Sequence, residues 1–322
     1  MKQFKSEFNT LRYVLEKSRR VLLVAHSSPD GDTVGSVLAM QECLIDLGKK
    51  ADIACLDPFP RYLEPLVKGN FQFPDHLDLS SYDSIIGCDS VDRGFNKIFS
   101  RLNKNQTTVI VDHHPDIVLE GDINIIDAKA SSTCEILYDF MSFANFKITK
   151  NIASYLLLGI IGDTGSFQHS NTTARVMEIT SDLMKKGAPA TRIVELAFAN
   201  KKISTLKLWG RAFEKAKINL KNGMIATVVT QKDLEECEAT AEDLAQVASI
   251  LNTVPGTKFS LILSEREGGM VKGSLRSEEY KGVDVSAVAH LFGGGGHKLA
   301  SGFEVRGKIE ETTDGWEIKP LG

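Results

Sequence analysis

Within seven residues the stretch "VLLVAHSSPDGDTVGS" (21–36) turns from an apolar run into His26, Asp30 and Asp32. The same transition recurs three times. "SIIGC" runs into Asp89, "TTVIV" runs into Asp112, His113 and His114, and the helical run "YLLLGIIGD" ends on Asp163 in "GDTGSF". Converging carboxylates repel one another and lose hydration, so they persist only where cations or protons offset them. A pair of divalent ions is the usual solution. Mixed imidazole and carboxylate ligands suit Mn²⁺, whereas all-oxygen shells suit Mg²⁺ or Ca²⁺. Two such ions about 3.5–4 Å apart activate water and stabilise the entering and leaving oxygens of a phosphoryl displacement.

Each piece has an ordinary reading on its own. P-D-G-D is a common turn, Asp89 could be a helix N-cap, and one of the paired histidines could be a core residue bonded to a carbonyl. The four segments together hold three of the seven histidines, all at element ends. That combination points to a dinuclear metal site.

The elements that must position these groups are legible in the apolar pattern. "RVLLVA" (20–25), "ADIACL" (51–56), "SIIGC" (84–88), "TTVIV" (107–111) and "INIID" (123–127) are short, continuous and rich in β-branched residues. Helical periodicity lies between and after them, at 33–48, 133–144, 150–160 and 172–186. Such a pattern predicts a parallel sheet covered by helices on both faces, with functional loops beyond the carboxyl ends of its strands. Residues 187–216 read as helical with a break near Ala199–Ser204, a connector between domains. Beyond it, "GMIATVVT" (223–230), "KFSLILSERE" (258–267) and "GGMVKGSLRS" (268–277) read as strands, the last two joined by a Gly-Gly hairpin turn. Helical patterns lie at 240–252 and 284–292. "FGGGGHKLASGF" (292–303) precedes a final strand. The expected organisation is a catalytic domain over 1–186, the connector over 187–216 and a smaller mixed α/β domain over 217–322.

With 322 residues, 42% hydrophobic and 25% charged, the chain has core material for two domains. No apolar stretch approaches the roughly 20 residues of a membrane span. The charged amphipathic N-terminus is unlike a signal peptide. Five scattered cysteines without a C-x-x-C pair fit reduced thiols and a cytoplasmic location. The net charge of −4 argues against a long nucleic-acid track, since phosphate neutralisation supplies most of the affinity for one. It leaves room for a short RNA or small nucleotide in a local basic pocket. The Met and Phe residues scattered through the helices read as core.

H-x-x-P-D-G-D at 26–32, the lone acid at 89, D-H-H at 112–114 and D-T-G-S-F at 163–167 resemble the motifs of the DHH phosphoesterase superfamily. "DVSAVAHLFGGGGHKLASGF" resembles the signature of its associated C-terminal domain. The size and "SSTCEI" (131–136) resemble the bacterial nano-RNase branch that also dephosphorylates adenosine 3′,5′-bisphosphate (pAp). The resemblance implies one ion held by His26, Asp30 and Asp89. It implies a second held by Asp32, Asp89, His113 and Asp163, with Asp89 bridging. It further implies catalytic roles for Asp112, orienting an imidazole, and for His114 near the scissile phosphate, contacting it or protonating the leaving oxygen. The cofactor it implies is a pair of divalent ions, Mn²⁺ foremost.

In the second domain the glycine loop has a plain reading as a connector and a functional one as a phosphate cradle opening a short helix after His297. The expected substrate contacts are Gly294, Gly295, Gly296, His297, Arg276 and Ser301. Arg276 is a bidentate phosphate binder or a solvated strand-end charge. Ser301 stands where relatives commonly carry alanine and offers an added hydroxyl. Arg93, in "CDSVDRG", is a ligand clamp or a partner of Asp92. The function expected is hydrolysis of RNAs of a few nucleotides to 5′-monophosphates and of pAp to AMP. The rival readings are a cyclic di-AMP or pApA phosphodiesterase, a RecJ-type exonuclease and a non-catalytic nucleotide-binding regulator. A family II pyrophosphatase is disfavoured by the glycine loop. No membrane partner is expected, and a homodimer is left open.

Overall fold

The computed structural model describes residues 4–67, 70–89, 94–115, 117–199, 201–312 and 315–320. The chain divides into two compact units, 1–200 and 201–322.

The first unit opens with α1 (Lys5–Lys17) and alternates β1 (Arg20–Val24), α2 (Gly31–Asp46), β2 (Lys50–Ala54), β3 (Ser84–Cys88), α3 (Asn96–Phe99), β4 (Thr107–Asp112) and β5 (Ile123–Ile126). The helices α4 (Thr133–Phe143), α5 (Lys150–Asp163), α6 (Ala174–Lys185) and α7 (Ala190–Val194) follow. All strand pairings are parallel, in the order β2-β1-β3-β4-β5. The central strands β1, β3 and β4 are buried almost from end to end because both faces are covered. Val21, Leu23, Ile86, Val109 and Val111 enter the core shared with α2, α4 and α5, while Leu22, Val24, Ile85 and Ile110 pack on Phe95 and Ile98. The strand ends therefore share one edge, and the loops that leave it carry the ionisable residues.

The second unit holds α8 (Ile203–Glu214), β6 (Lys217–Asn219), β7 (Met224–Val229), α9 (Gln231–Cys237), α10 (Val247–Asn252), β8 (Phe259–Arg266) and β9 (Met270–Ser277). Next come α11 (Val285–His290), β10 (Gly295–His297), β11 (Ala300–Arg306), β12 (Lys308–Thr312) and β13 (Gly315–Lys319). Its main sheet runs β10-β11-β9-β8-β7-β6 and is mixed: β7 and β8 are parallel, and the other pairs antiparallel. Gly268 and Gly269, with φ of 73° and 71°, make the turn between β8 and β9, as a type I′ hairpin requires.

Three local readings change. The helix expected over 240–252 is a short 3₁₀ turn followed by α10, because Gln246 takes a left-handed φ of 76° between them. The segment after His297 opens no helix: β10 and β11 form a hairpin that extends the ladder of β9. The glycines serve that pairing, since a Cβ on Gly294 would lie 2.1 Å from the carbonyl oxygen of Gly302. Finally, β11 is not the last strand; β12 and β13 follow as a separate hairpin. Among the described residues no helix is long and apolar enough to cross a membrane.

Candidate metal centre

His26 lies just past β1. Its Nδ1 is 2.6 Å from the Ser27 carbonyl oxygen, which directs Nε2 towards Asp89 Oδ2 at 3.6 Å and Asp30 Oδ2 at 4.0 Å. Asp30 caps α2, its Oδ1 accepting the backbone N–H groups of Asp32 (3.0 Å) and Thr33 (3.1 Å). Oδ2 faces the imidazole, so the capping role, which uses Oδ1, leaves an oxygen for a ligand role. Asp32, fully buried in the first turn of α2, accepts from Thr133 N at 2.7 Å and Cys134 N at 3.0 Å. Those donors are the start of α4, where unpaired N–H groups and the helix dipole favour an anion.

Asp89 follows β3 with φ of 55°, a conformation uncommon outside glycine but tolerated by Asp and Asn. Its backbone N–H donates to Val111 O at 3.0 Å, and Oδ2 accepts from the Thr33 hydroxyl at 2.7 Å. Past β4, His113 Nε2 lies 3.1 Å from Asp163 Oδ2, 3.7 Å from Asp89 Oδ1 and 3.8 Å from Asp32 Oδ2. His114 Nδ1 lies 2.7 Å from Asp112 Oδ1. The imidazole that Asp112 orients is thus that of His114. Asp163 ends α5 with its side chain 22% exposed.

Donor atoms gather within 4.8 Å of one another in the sets His26–Asp30–Asp89, Asp32–Asp89–His113 and Asp89–Asp112–His114. Asp89 belongs to all three. Burial, reinforced by the neighbouring carboxylates, pushes Asp32 up to about 7 and Asp163 up to about 6, and holds Asp89 well above the usual carboxylate range. Burial disfavours the cation of His113, yet Asp163, Asp32 and Asp89 raise its pKa far above that of a free imidazole. Asp112 titrates below the ordinary value despite its burial, because His114 donates to it. Such a set holds on to protons when no cation is near, and a divalent ion bound among these groups would displace them. Four carboxylates (Asp30, Asp32, Asp89 and Asp163) with two imidazoles (His26 and His113) would fit borderline-to-hard divalent ions.

Several contributors were not singled out from the sequence: Thr33, Thr133 and the backbone of Cys134. "SSTCEI" does carry a legible N-cap signal, Ser132 with Glu135 three residues on, and Ser132 Oγ accepts from Glu135 N at 3.1 Å. That the freed N–H groups point at Asp32 is a tertiary fact. Gly159 of α5 belongs here too. A Cβ at Gly159 would lie 2.4 Å from both Asp32 Oδ1 and Cys134 Sγ. Gly159→Ala is therefore expected to displace the Asp32 carboxylate and destabilise the chain by about 1–3 kcal/mol, the usual range for overpacking. Thermal melts and metal titration of the variant check this; wild-type values in both would refute it. Asp92 and Arg93 lie outside the described residues.

In the second unit, His297 pairs with Ala300 and Ala300 pairs with Arg276. Cross-strand partners share a face, so His297 and Arg276 flank the small Ala300 on one side of the sheet, about 10 Å apart at the usual strand spacing. Gly294, Gly295 and Gly296 lead into that rung. Ser301 is different. It pairs with Gly296 and Leu275 on the opposite face, is 5% exposed, and donates its hydroxyl to His297 O at 2.6 Å. That hydrogen bond closes the hairpin between β10 and β11.

A parallel sheet that gathers H-x-x-P-D-G-D, a lone acid, D-H-H and D-T-G at one edge, with a glycine-loop unit after it, is the DHH phosphoesterase arrangement. Residues 20–160 match the DHH family N-terminal domain and residues 221–314 match the DHHA1 domain, so the chain belongs to the DHH superfamily and carries its associated C-terminal domain. It is 28% identical over 320 residues to a probable bifunctional oligoribonuclease and PAP phosphatase NrnA of Streptococcus mutans, covering 98% of each chain. It is 28% identical over 289 residues to the bifunctional oligoribonuclease and PAP phosphatase NrnA of Thermus thermophilus, covering 89% of this chain and 84% of that one. Among solved structures, an exopolyphosphatase-related protein from Bacteroides fragilis shares the fold with a TM-score of 0.87 at 23% identity, over 94% of this chain and 92% of that one.

Proposed function

We propose that the chain is a divalent-metal phosphoesterase, Mn²⁺ being its preferred ion. It hydrolyses short oligoribonucleotides to nucleoside 5′-monophosphates, and pAp to AMP. The observation that carries this reading is the convergence of His26, Asp30, Asp32 and His113 on a single acid, Asp89. The names of the relatives supply the substrate class.

His26, Asp30 and Asp89 would hold one ion, and Asp32, Asp89, His113 and Asp163 the other. Bound there, two divalent ions would activate water and offset charge on the entering and leaving oxygens. The chain's own groups do the rest. Asp112 fixes the His114 ring through Nδ1, so that Nε2 is the atom that meets the phosphate or protonates the leaving oxygen. The α4 N-terminus holds Asp32, and Thr33 holds Asp89. Arg276 and His297 bind the far end of the substrate.

The test is a panel in Mn²⁺ or Mg²⁺: pAp, pApA, cyclic di-AMP and RNAs from 2 to 24 nucleotides, with products resolved by chromatography. Preference for cyclic di-AMP or pApA would replace this reading with the cyclic-dinucleotide one. Inactivity on every substrate would favour a nucleotide-binding regulator.

Arg276→Ala and His297→Ala are each expected to raise KM for a dinucleotide about 10- to 100-fold, as loss of a hydrogen bond to a charged group does, with a smaller change in kcat. Hydrolysis of bis-p-nitrophenyl phosphate, which has no far end, should change little. Equal losses on both substrates would move these residues into the chemical step.

A further inference from the structure

The end of α5 leaves one carbonyl to side chains. Of its last acceptors, Ile160 O takes the N–H and hydroxyl of Thr164, Ile161 O takes Ser166 N, and Gly162 O takes Gly165 N. The chain then makes three successive left-handed residues, Gly165, Ser166 and Phe167, with φ of 57°, 58° and 67°. Asp163 O is met instead by His169 Nδ1 at 3.1 Å and Asn171 Nδ2 at 3.2 Å. The same Asn171 amide donates to Ser131 O at 3.2 Å. Ser131 immediately precedes the Ser132 cap of α4, and its own N–H donates to Glu135 Oε2 at 2.7 Å. One carboxamide thus ties the residue that presents Asp163 to the segment that presents the N–H groups holding Asp32.

We infer that Asn171 is a positioning residue for the Asp32–His113–Asp163 half of the metal centre, acting through the Asp163 and Ser131 carbonyls. This rests on the two-ion reading above. Only a donor group can serve two carbonyl oxygens, so the isosteric change to a carboxylate fails where the amide succeeds. The His26–Asp30–Asp89 half has its own supports: Asp30 is set by the start of α2, His26 by Ser27 and Asp89 by the Thr33 hydroxyl, and the α4 start reaches it only through the longer 3.4 Å bond from the Thr133 hydroxyl to Asp89 Oδ1.

The experiment is Mn²⁺ titration of full-length, chelator-stripped protein by calorimetry, with metal-free melting temperatures recorded in parallel. Wild type is expected to bind two ions. Asn171→Asp is expected to keep one affinity and weaken the other about 10- to 100-fold, the usual cost of losing a group that orients a ligand. Asn171→Ala removes the donor without adding charge and should show the same one-ion loss. Thr172→Val changes the adjacent residue, whose buried hydroxyl has no hydrogen-bond partner among the described residues, and should leave both affinities as they are. Two unchanged affinities in the Asn171 variants overturn the inference. So does an equal loss of both ions in step with a falling melting temperature, which is what plain unfolding of the loop would give. Wild-type protein that binds fewer than two ions overturns the metal-centre reading itself, and this inference with it.

Discussion

Asp89→Asn is expected to remove turnover by far more than the about 10- to 100-fold that loss of an outer partner costs, because the change reaches both proposed ions together. Metal stoichiometry should fall below two in the same preparation. The fold should survive. Asparagine tolerates the left-handed φ of 55° as aspartate does, and its amide can still accept the 2.7 Å bond from Thr33. The metal-free variant should even melt higher than wild type near neutral pH. Burial and the carboxylates of Asp32, Asp30 and Asp112 hold Asp89 well above its unfolded value. An acid raised on folding destabilises the fold at pH values above its unfolded pKa, so deleting its charge relieves that cost. Metal analysis, melting curves and kinetics on one sample set decide the matter. Two ions still bound to Asp89→Asn would end the bridging assignment.

The second large effect is on substrate length. Catalytic efficiency is expected to be greatest for RNAs of about two to five nucleotides and to fall at least about ten-fold by 24, because each extra phosphate needs a cation to match it. The chain has a net charge of −4 and offers no basic tract beside either motif set. In its second unit the proposed anchors are confined to one rung, His297 and Arg276 either side of Ala300. Phosphates beyond such an anchor meet repulsion and ordering cost without new contacts. The measurement is kcat/KM against length at fixed ionic strength and saturating Mn²⁺. A profile flat or rising to 24 nucleotides would favour the exonuclease reading.

How much of this was written in the sequence depends on the range of the interaction. The β1, β3 and β4 runs are legible because strands buried on both faces must be apolar at every position, and their ends are marked by abrupt ionisable residues. The Gly-Gly turn at 268–269 is legible because its backbone geometry demands glycine. The hairpin at 295–306 was not, since a glycine run followed by His and Lys suits a helix start as well as a strand. Only the ladder to β9 decides it. The split of the 240–252 pattern at Gln246 is likewise invisible to periodicity. At the site, residue types announced the acids and imidazoles. The bonds that aim them, Thr133 and Cys134 on Asp32 or Thr33 on Asp89, join positions 56 to 102 residues apart, and no local pattern encodes them.

Three of the five cysteines border this centre. Cys55 donates its S–H to His26 O at 3.3 Å, Cys88 precedes Asp89, and Cys134 Sγ lies 3.7 Å from Asp32 O. Burial and the adjacent carboxylates raise the thiols of Cys88 and Cys134 far above the free value, and burial lifts Cys55 to about 11. Thiols that stay protonated are poor metal ligands, because the thiolate is the coordinating form. Among the described residues no sulfur joins the gathered donor sets, which consist of carboxylate oxygens and imidazole nitrogens. A thiophilic ion such as Cd²⁺ would find no sulfur among those donors, and so would lose the advantage that a thiolate gives it over harder ions.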